Sequence, residues 1–330
     1  MGIQRGVSIY SYQENYYLRK MSFEDCIRAV SETGAKGVEL IAEMHCPKEY
    51  RDPSPDFVAR WHDWMAKYGT KPAALDVFLD YKLYDNRMLT EREMVAFFKN
   101  NFDFAKKLGF PVIRGMIAVP LPILRDIIPI LEDYGLTYGT ELHAPISPWG
   151  SKMQGIFELI DRTGTKNMGF IPDMSMWCKT APRLVTGEYL RKGADPEIVE
   201  RICQRYDERV PQDEVNAEAL RMGAGPLELA AMHNVFSHAR YDGTEWLREY
   251  ADKVVHVHGK VYEMDENCEE KYIDYEPVVR ILQEAGFDGW ICTEYEGQRS
   301  YHDPLYGPGG ADEVEQVRRH QVQLKRLLGA

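Results

Sequence analysis

Short runs of aliphatic and β-branched residues alternate with longer amphipathic segments along most of the chain. The first run, residues 6–12, has the sequence GVSIYSY, and residues 22–32 after it have the apolar spacing of a helix. Ser22 precedes this helix with Asp25 three positions later, which is close to a capping box, and Gly34 follows its end. The pattern therefore predicts that the chain begins with a strand followed by a helix.

The same alternation continues to the end of the chain. We expect eight strands, at residues 6–12, 37–43, 73–79, 111–119, 136–143, 167–173, 253–262 and 289–297. Helices are predicted after them, at residues 22–32, 55–68, 90–108, 121–134, 153–162, 276–285 and 312–328. Strands that alternate with helices in this way are parallel, and eight such units close a (β/α)8 TIM barrel, the α/β fold class that we predict.

An open doubly wound sheet is the alternative fold, but no G-x-G-x-x-G motif follows the first strand. Barrels of this length fold as one unit, so we expect residues 1–330 to form a single TIM-barrel domain. Residues 174–252, between the sixth and seventh strands, are far longer than an ordinary loop and contain helical runs at residues 197–206 and 226–232. We interpret this βα insertion as a lid or substrate wall, with partner binding as the alternative.

Carboxylates and imidazoles stand at the ends of four consecutive predicted strands. They are Glu141 and His143 on strand five, Asp173 on strand six, His256 and His258 on strand seven, and Glu294 and Glu296 on strand eight. In a TIM barrel, the reacting groups lie at the C-terminal ends of the strands. Because residues two apart on a strand share a face, these side chains are expected to point into one pole of the barrel.

Such a cluster calls for a cation, because crowded carboxylates repel one another and their pKa values rise. An isolated Asp at a strand end usually caps a helix, and an isolated His usually packs in the core, but four adjacent strands favour a metal site. Oxygen donors with one imidazole suit Mn²⁺, Mg²⁺ or Co²⁺, whereas Zn²⁺ favours more nitrogen or sulfur. We favour Mn²⁺, with Mg²⁺ and Co²⁺ as alternatives.

Charge and composition disfavour several other functional classes of protein. The net charge of -12 and the absence of a Lys/Arg run disfavour binding to nucleic acid or to an anionic membrane. The six cysteines are scattered without a C-x-x-C pair, which indicates reduced thiols in a cytosolic protein. The N-terminus does not resemble a signal peptide, and no window reaches the roughly 18 apolar residues of a membrane span. We therefore expect a cytoplasmic protein that binds a small molecule.

Glu141, Asp173, the H-V-H of residues 256–258 and Glu294 also resemble the xylose-isomerase-like sugar isomerase/epimerase superfamily in their order and strand positions. The resemblance covers nearly the whole chain. It implies that Glu141, Asp173, His258 and Glu294 are the metal ligands. His258 is chosen because the family's ligand matches the second histidine, and His256 is the alternative.

The reaction that this resemblance implies is proton abstraction next to a sugar carbonyl, with the metal stabilising the developing oxyanion. In ketose 3-epimerases of the superfamily, two metal-bound carboxylates move the proton, and Glu141 and Glu294 match those positions. His143 is a further candidate for the base, since an ordinary imidazole pKa of about 6.5 suits neutral pH. The alternative for His143 is that it orients a ligand.

Within the superfamily, four motifs resemble the catalytic α subunit of C-glycoside deglycosidases: RGVSIYSYQ at residues 5–13, ELH at 141–143, FIPDM at 170–174 and EYEG at 294–297. This resemblance implies a small β subunit and cleavage of the C–C bond between a 3-oxo-glucosyl unit and an aromatic aglycone. His143 would remove the C2 proton, and the aglycone would leave from C1 by elimination. The alternatives are a ketose isomerase/epimerase, an inosose-type dehydratase and, in another class, a non-catalytic sugar-binding barrel.

The remaining candidates would contact substrate. Arg114 and Lys260 could hold substrate oxygens, although a structural salt bridge is an equal alternative. Aromatic residues at strand ends either stack on a ring of the substrate or belong to the core, and these are Tyr12, Phe78 and Trp177. Other polar residues are expected at the mouth, namely His256, Glu296, Gln298 and His302. The H-x-H and E-x-E pairs suggest a dinuclear site as an alternative, but histidines are too few for a trinuclear zinc cluster of the DNA-repair type.

Overall fold

The computed structural model describes residues 2–298 and 312–329, and its centre is an eight-stranded parallel sheet. The strands are β1 (Gln4–Ser8), β2 (Gly37–Ile41), β3 (Lys71–Val77), β4 (Val112–Gly115), β5 (Thr137–Leu142), β6 (Met168–Pro172), β7 (Val257–Val261) and β8 (Trp290–Tyr295). Their order is β6-β5-β4-β3-β2-β1-β8-β7. Bridges from Phe170 to Val254 and from Asp173 to His258 join the two ends of this order, so the barrel is nearly closed. The predicted TIM-barrel fold is confirmed.

Helices follow the strands and surround the barrel. They are α1 (Gln13–Tyr17), α2 (Phe23–Glu32), α3 (Ala42–His45), α4 (Pro55–Tyr68), α5 (Glu91–Leu108), α6 (Leu121–Tyr134), α7 (Ser151–Thr163), α8 (Gly187–Arg191), α9 (Pro196–Asp207), α10 (Gln212–Arg221), α11 (Pro226–His238), α12 (Glu245–Tyr250), α13 (Tyr275–Glu284) and α14 (Glu313–Leu328). Short 3-10 turns occupy Ile9–Tyr12, Met174–Met176, Arg183–Thr186 and Ala251–Lys253.

Local chemistry sets the ends of the outer helices. The Ser22 side chain accepts from the backbone N–H of Asp25, and the Asp25 carboxylate accepts from the backbone N–H of Ser22, so the capping box is complete. Helix α4 begins after Ser54 and ends at Gly69, whose φ of 62° is the left-handed conformation that glycine tolerates best. Helices α4 and α6 begin and end at the predicted residues, because both ends of each are encoded within a few positions.

The first strand is shorter than predicted, because residues Ile9–Tyr12 form a 3-10 turn. The Ser11 hydroxyl donates to the carbonyl of Thr293 and accepts from the backbone N–H of Tyr295. A side chain thus takes the place of the β1 backbone at the end of β8. Apolar alternation could not reveal this exchange, since Ile9, Tyr10 and Tyr12 all favour a strand by propensity.

Between the sheet and the helices lies a continuous apolar layer. Trp61, Phe98, Phe102 and Phe104 are almost completely buried there, and the indole N–H of Trp61 donates to the carbonyl of Leu108 at 2.9 Å. Burial of aromatic side chains contributes roughly 25 cal/mol per Å² of apolar surface, so this layer is the main source of stability. The functional groups lie inside the barrel, where polar residues replace apolar ones.

The long segment between β6 and β7 is largely helical, as predicted. Its helices α9, α10 and α11 share a small apolar cluster of their own, formed by Ile198, Ile202, Val215, Ala219 and Met232. Helix α11 ends at His238, whose carbonyl accepts a hydrogen bond from the Tyr262 hydroxyl at 2.5 Å. The insertion is therefore tied to the segment that follows β7, at the end of the barrel where the strands end.

The structure also shows the state of the six cysteines and whether a described helix could cross a membrane. All six cysteines are free thiols, and only Cys268 is partly exposed. Within the described ranges, no helix combines the length and the apolar character that crossing a membrane requires.

Candidate metal centre and its cavity

The barrel brings the four predicted ligands to one point. Glu141 lies near the end of β5, Asp173 follows β6, His258 lies on β7, and Glu294 lies on β8. Register supports this placement, because Asp173 forms a bridge with His258 and Glu294 pairs with Lys260 on the neighbouring strand. Adjacent parallel strands in register carry their side chains at similar heights, so the four side chains converge.

These four residues have the geometry and chemistry of a metal site. One potential ligand atom from each lies within 4.8 Å of all the others, and every residue is buried. His258 Nδ1 is 2.7 Å from Glu141 Oε1, 3.4 Å from Glu294 Oε2 and 4.0 Å from Asp173 Oδ2. Three carboxylates and one imidazole nitrogen are a donor set that suits Mn²⁺, Mg²⁺ or Co²⁺. The residues therefore fit a divalent cation.

The pKa values of the proposed ligand residues reflect an excess of negative charge in the cluster. Burial raises the pKa of Asp173 to about 6, against the attraction of Lys260. Burial opposes ionisation of Glu141 as well, but Arg114 and His258 outweigh it and lower the pKa of Glu141 to about 2. Burial also opposes a charged His258, yet the surrounding carboxylates raise its pKa well above the ordinary value. A cation at this point would relieve the same repulsion.

Two basic side chains border the cluster. The Arg114 guanidinium pairs with Glu141 and lies 4.9 Å from the centre of the Phe78 ring. Lys260 Nζ is 2.7 Å from Glu294 Oε2, 3.2 Å from Asp173 Oδ2 and 3.0 Å from Glu296 Oε2. Both residues make the salt bridges that were the alternative to substrate binding, and both also line the adjoining cavity.

The cavity that opens onto the cluster has a volume of about 400 Å³. Glu141, Glu294 and His143 form part of its wall, and Ser237 and His238 of the insertion form another part. His143 Nδ1 is 2.5 Å from the carbonyl of Ala144, an acceptor, so Nδ1 carries the proton. In a neutral imidazole held in this way, Nε2 carries the lone pair that can accept a proton.

Two of the aromatic residues that were predicted to contact substrate do not line the cavity. Trp177 is fully buried, stacks on Trp246 with ring centroids 5.2 Å apart, and donates its indole N–H to the carbonyl of Gly243. Tyr12 is fully buried in the apolar core. Both side chains pack in the interior, which is the alternative that the sequence left open for them. The third aromatic residue, Phe78, is partly exposed beneath Arg114.

The other predicted contacts divide between the cavity and the interior. Glu296 lines the cavity and accepts a hydrogen bond from the Tyr10 hydroxyl at 3.2 Å. Gln298 and His256 are fully buried, and His256 Nε2 is 2.5 Å from Glu39 Oε2. Neither side chain lines the cavity, so the structure does not bring these two predicted contacts to it. His302 lies outside the described residues.

Two buried acids inside the barrel were missed in the sequence. Glu39 on β2 is fully buried beside both histidines, and Asp76 on β3 is 2% exposed. Burial and then the charge of Glu39 raise the pKa of Asp76 well above its ordinary value. Each is the only acid of its strand in the structure, and this was the available signal. Both lie before the ends of the predicted strands at residues 37–43 and 73–79, so a search confined to the ends of those strands passes over them.

Comparison with known proteins agrees with the fold. A family model described as "Xylose isomerase-like TIM barrel" matches residues 27–206. The D-allulose 3-epimerase structure from Methylomonas sp. has a TM-score of 0.58 at 11% identity and covers 99% of this chain and 98% of that one. The structure of the IOLI protein with a bound zinc atom has a TM-score of 0.55 at 13% identity, covering 99% and 98%. At these identities the structures show the fold alone.

Relatives found by sequence similarity indicate a narrower group than the solved structures do. The C-glycoside deglycosidase alpha subunit of Arthrobacter globiformis is 29% identical over an alignment of 340 positions, which covers 99% of this chain and 93% of the relative. The 3'-dehydrocarminate deglycosidase alpha subunit of Microbacterium sp. is 27% identical over 309 residues, 88% of each chain. The predicted resemblance to this group is confirmed, as is the prediction of an enzyme. The chain belongs to the xylose isomerase-like TIM-barrel family.

Proposed function

We propose that this chain is the catalytic α subunit of a metal-dependent C-glycoside deglycosidase, a lyase that cleaves the C–C glycosidic bond of a 3-oxo-glucoside. The observation that carries the proposal is the convergence of Glu141, Asp173, His258 and Glu294 beside a cavity that His143 also lines. The names of the relatives support the substrate class.

The four converging residues would hold the cation, for which Mn²⁺ is favoured over Mg²⁺ and Co²⁺. When bound, a divalent cation supplies Lewis acidity toward the sugar's carbonyl and hydroxyl oxygens, which makes the neighbouring C–H more acidic. The protein contributes a buried set of carboxylates whose negative charge Arg114 and Lys260 alone do not neutralise. Two basic side chains face four acids, Glu141, Asp173, Glu294 and Glu296.

His143 is the proposed base. Its Nδ1–H donates to the Ala144 carbonyl, which fixes the ring and leaves the Nε2 lone pair to take the proton from C2. The C–H electron pair then forms the C1=C2 double bond, and the electrons of the C1–aryl bond leave with the aglycone carbon. That carbon takes up a proton, so the products are an unsaturated 3-oxo sugar and the free aglycone.

Arg114 and Lys260 are proposed to orient substrate oxygens at the cavity wall. Both are already held by acids of the cluster, so their positions are fixed before substrate binds. Ser237 and His238 place the end of α11 on the opposite part of the wall. We therefore assign the insertion to the substrate wall.

A small β subunit is the proposed partner, since the relatives are named alpha subunits. The proposal includes no nucleic acid or membrane partner and places the protein in the cytoplasm.

The test is incubation of the metal-loaded chain, alone and with the β-subunit candidate from its genomic neighbourhood, with a 3-oxo-C-glucoside. Release of the aglycone, measured by liquid chromatography, is the expected result, and it should increase with the partner present. Failure to release aglycone under both conditions, with metal bound, would contradict the proposal.

A second candidate is a ketose 3-epimerase. Glu141 and Glu294 both line the cavity and contact the same imidazole, an arrangement in which two carboxylates could exchange a sugar proton. Incubation with free ketoses in deuterated water separates the candidates. Deuterium uptake into the sugar without cleavage of the 3-oxo-C-glucoside would favour the epimerase.

A further inference from the structure

Glu39 lies in the middle of β2 and reaches across the barrel interior to β7. The carboxylate is fully buried, with Oε2 2.5 Å from His256 Nε2 and Oε1 3.4 Å from His258 Nε2. The Cys292 thiol borders the same carboxylate but is only a weak donor. A buried carboxylate is costly unless donors surround it, so its position between two imidazoles requires an explanation.

Two of the atoms in this contact are otherwise unsatisfied. Among the residues that the structure describes, neither Glu39 Oε1 nor His258 Nε2 has a hydrogen-bond partner, and both are buried. Buried polar atoms of native proteins nearly always have partners. At 3.4 Å, a shift of a few tenths of an ångström would bring these two atoms into a normal hydrogen bond.

The two nitrogens of His258 face different groups. Nδ1 points at the carboxylates of Glu141, Asp173 and Glu294, and Nε2 points at Glu39. A neutral imidazole carries one N–H, and a ligand nitrogen must offer its lone pair. The metal-binding form therefore has its proton on Nε2, where only an acceptor can hold it.

We propose that Glu39 is a positioning residue that fixes His258 in the Nε2-protonated form and so prepares Nδ1 to bind the cation. This inference rests on the proposed metal site. His256 completes the arrangement, because its Nε2–H donates to the other oxygen and fixes the carboxylate between the two rings.

Glu39→Gln tests the proposal, because an amide presents one acceptor and one donor. The amide oxygen can keep the bond from His256, but the NH₂ group then faces His258 Nε2 and favours the form protonated on Nδ1. The affinity of the apo protein for Mn²⁺, measured by isothermal titration calorimetry, is expected to fall roughly 10- to 100-fold. An unchanged affinity would overturn the proposal.

Asp76→Asn is the matched control, because Asp76 is also a buried barrel carboxylate but has no direct contact with either imidazole among the described interactions. Its affinity for Mn²⁺ should remain within about threefold of wild type, in contrast to the loss expected from a positioning carboxylate. An equal loss in both variants would overturn the proposal, because it would show that replacing any buried carboxyl group of the barrel has the same effect.

Glu39, His256 and His258 could instead hold a second cation, since their ligand atoms also converge. The same titration decides this through its stoichiometry. One Mn²⁺ per chain supports the positioning role, and two per wild-type chain with one in Glu39→Gln would overturn it.

A measurement on the Mg²⁺-loaded wild-type protein keeps the proposal testable if the variant does not fold. Without a cation, Nδ1 keeps a proton beside the Glu141 carboxylate. With Mg²⁺ bound, imidazole ¹⁵N shifts of histidine-labelled protein should show Nε2–H and an unprotonated Nδ1 for His258, and an Nε2 without a proton would overturn the proposal. Neither readout uses substrate, so a failure of the deglycosidase proposal would be recognised separately.

Discussion

His258 and His320 are both completely buried, but they lie in opposite kinds of surroundings. His258 is inside the barrel among carboxylates, which raise its pKa well above the ordinary value although burial opposes this. His320 lies on α14, outside the barrel, where burial lowers its pKa to about 3. Its ring packs 4.9 Å from Tyr275 and its Nδ1 is 2.8 Å from the Thr293 hydroxyl.

The difference shows that burial alone does not identify a functional histidine. The space for the His320 ring exists because β7 has a glycine there: a Cβ on Gly259 would come within 3.1 Å of His320 Cε1. That histidine is fitted into the packing between the sheet and α14. His258 instead has a nitrogen directed at several acids at once, an arrangement that packing does not require.

The largest effect is expected for His258→Ala. Removing the one imidazole of the four proposed ligands should abolish stoichiometric metal binding and lower kcat/KM by at least about 10³-fold, because the Lewis acid is lost. Metal content by mass spectrometry and aglycone release measure the two losses. A variant that keeps its metal would contradict the assignment of His258 as a ligand.

His143→Ala should come next. The proposed base would be missing, so kcat should fall by roughly 10²–10⁴-fold, while the metal content stays that of the wild type. Comparison of its metal content with that of His258→Ala separates the base from the ligand. Unchanged kcat would assign proton abstraction to another group, with Glu141 and Glu294 as the candidates.

His320→Ala makes the same chemical change on the other side of the sheet. Loss of the buried ring and of its contact with Thr293 should cost about 3 kcal/mol of unfolding free energy, while metal affinity is unaffected. Thermal unfolding and metal titration of the folded variant provide the two readings. Weakened metal binding in this variant would remove the contrast between the two histidines.

The smallest effect concerns pH. Because His320 has a folded pKa of about 3, below that of an exposed histidine, the unfolded chain takes up a proton first as the pH falls. Stability from this residue is therefore present above about pH 6.5 and is lost toward pH 3, by at most about 1.4 kcal/mol per pH unit. His45, with a pKa lowered by burial to about 4, adds a similar loss.

Buried acids act in the opposite direction over this range, because burial raises the pKa values of Glu270 and Glu313 to about 7. The contribution of His320 is therefore measured as a difference, by denaturant unfolding of the wild type and of His320→Gln at pH 7 and pH 5.5. On acidification the wild type should lose more free energy of unfolding, or gain less, than His320→Gln, which cannot take up the proton. An identical pH dependence in the two proteins would show that His320 is not buried in neutral form.

Much of the fold could be predicted from local sequence. The capping residues and terminal glycines of α4 and α6 lie within a few positions of the helix ends, so both helices begin and end where predicted. Strand ends were less accurate, as for β4, which covers Val112–Gly115 where residues 111–119 were expected. A strand ends where its partner ends, and the partner is distant in sequence.

The candidate site divides in the same way. Strand order and alternation were enough to place Glu141, Asp173, Glu294 and the histidines of strand seven at one pole, and the family resemblance then favoured His258 over His256. The core positions of Trp177 and Tyr12 were not predictable, since stacking in the core and contact with substrate call for the same residue types at the same strand ends.

The sequence by itself determined the alternation of strands and helices, the helix caps and the set of acids and histidines available at one end of the barrel. Only the tertiary structure decided which nitrogen of His258 faces the acids, that Glu39 stands behind it, and that Arg114 and Lys260 are held in salt bridges. The physical reason is distance. Capping and periodicity act within a few residues, whereas these contacts join strands that are far apart in the chain and depend on differences of about an ångström.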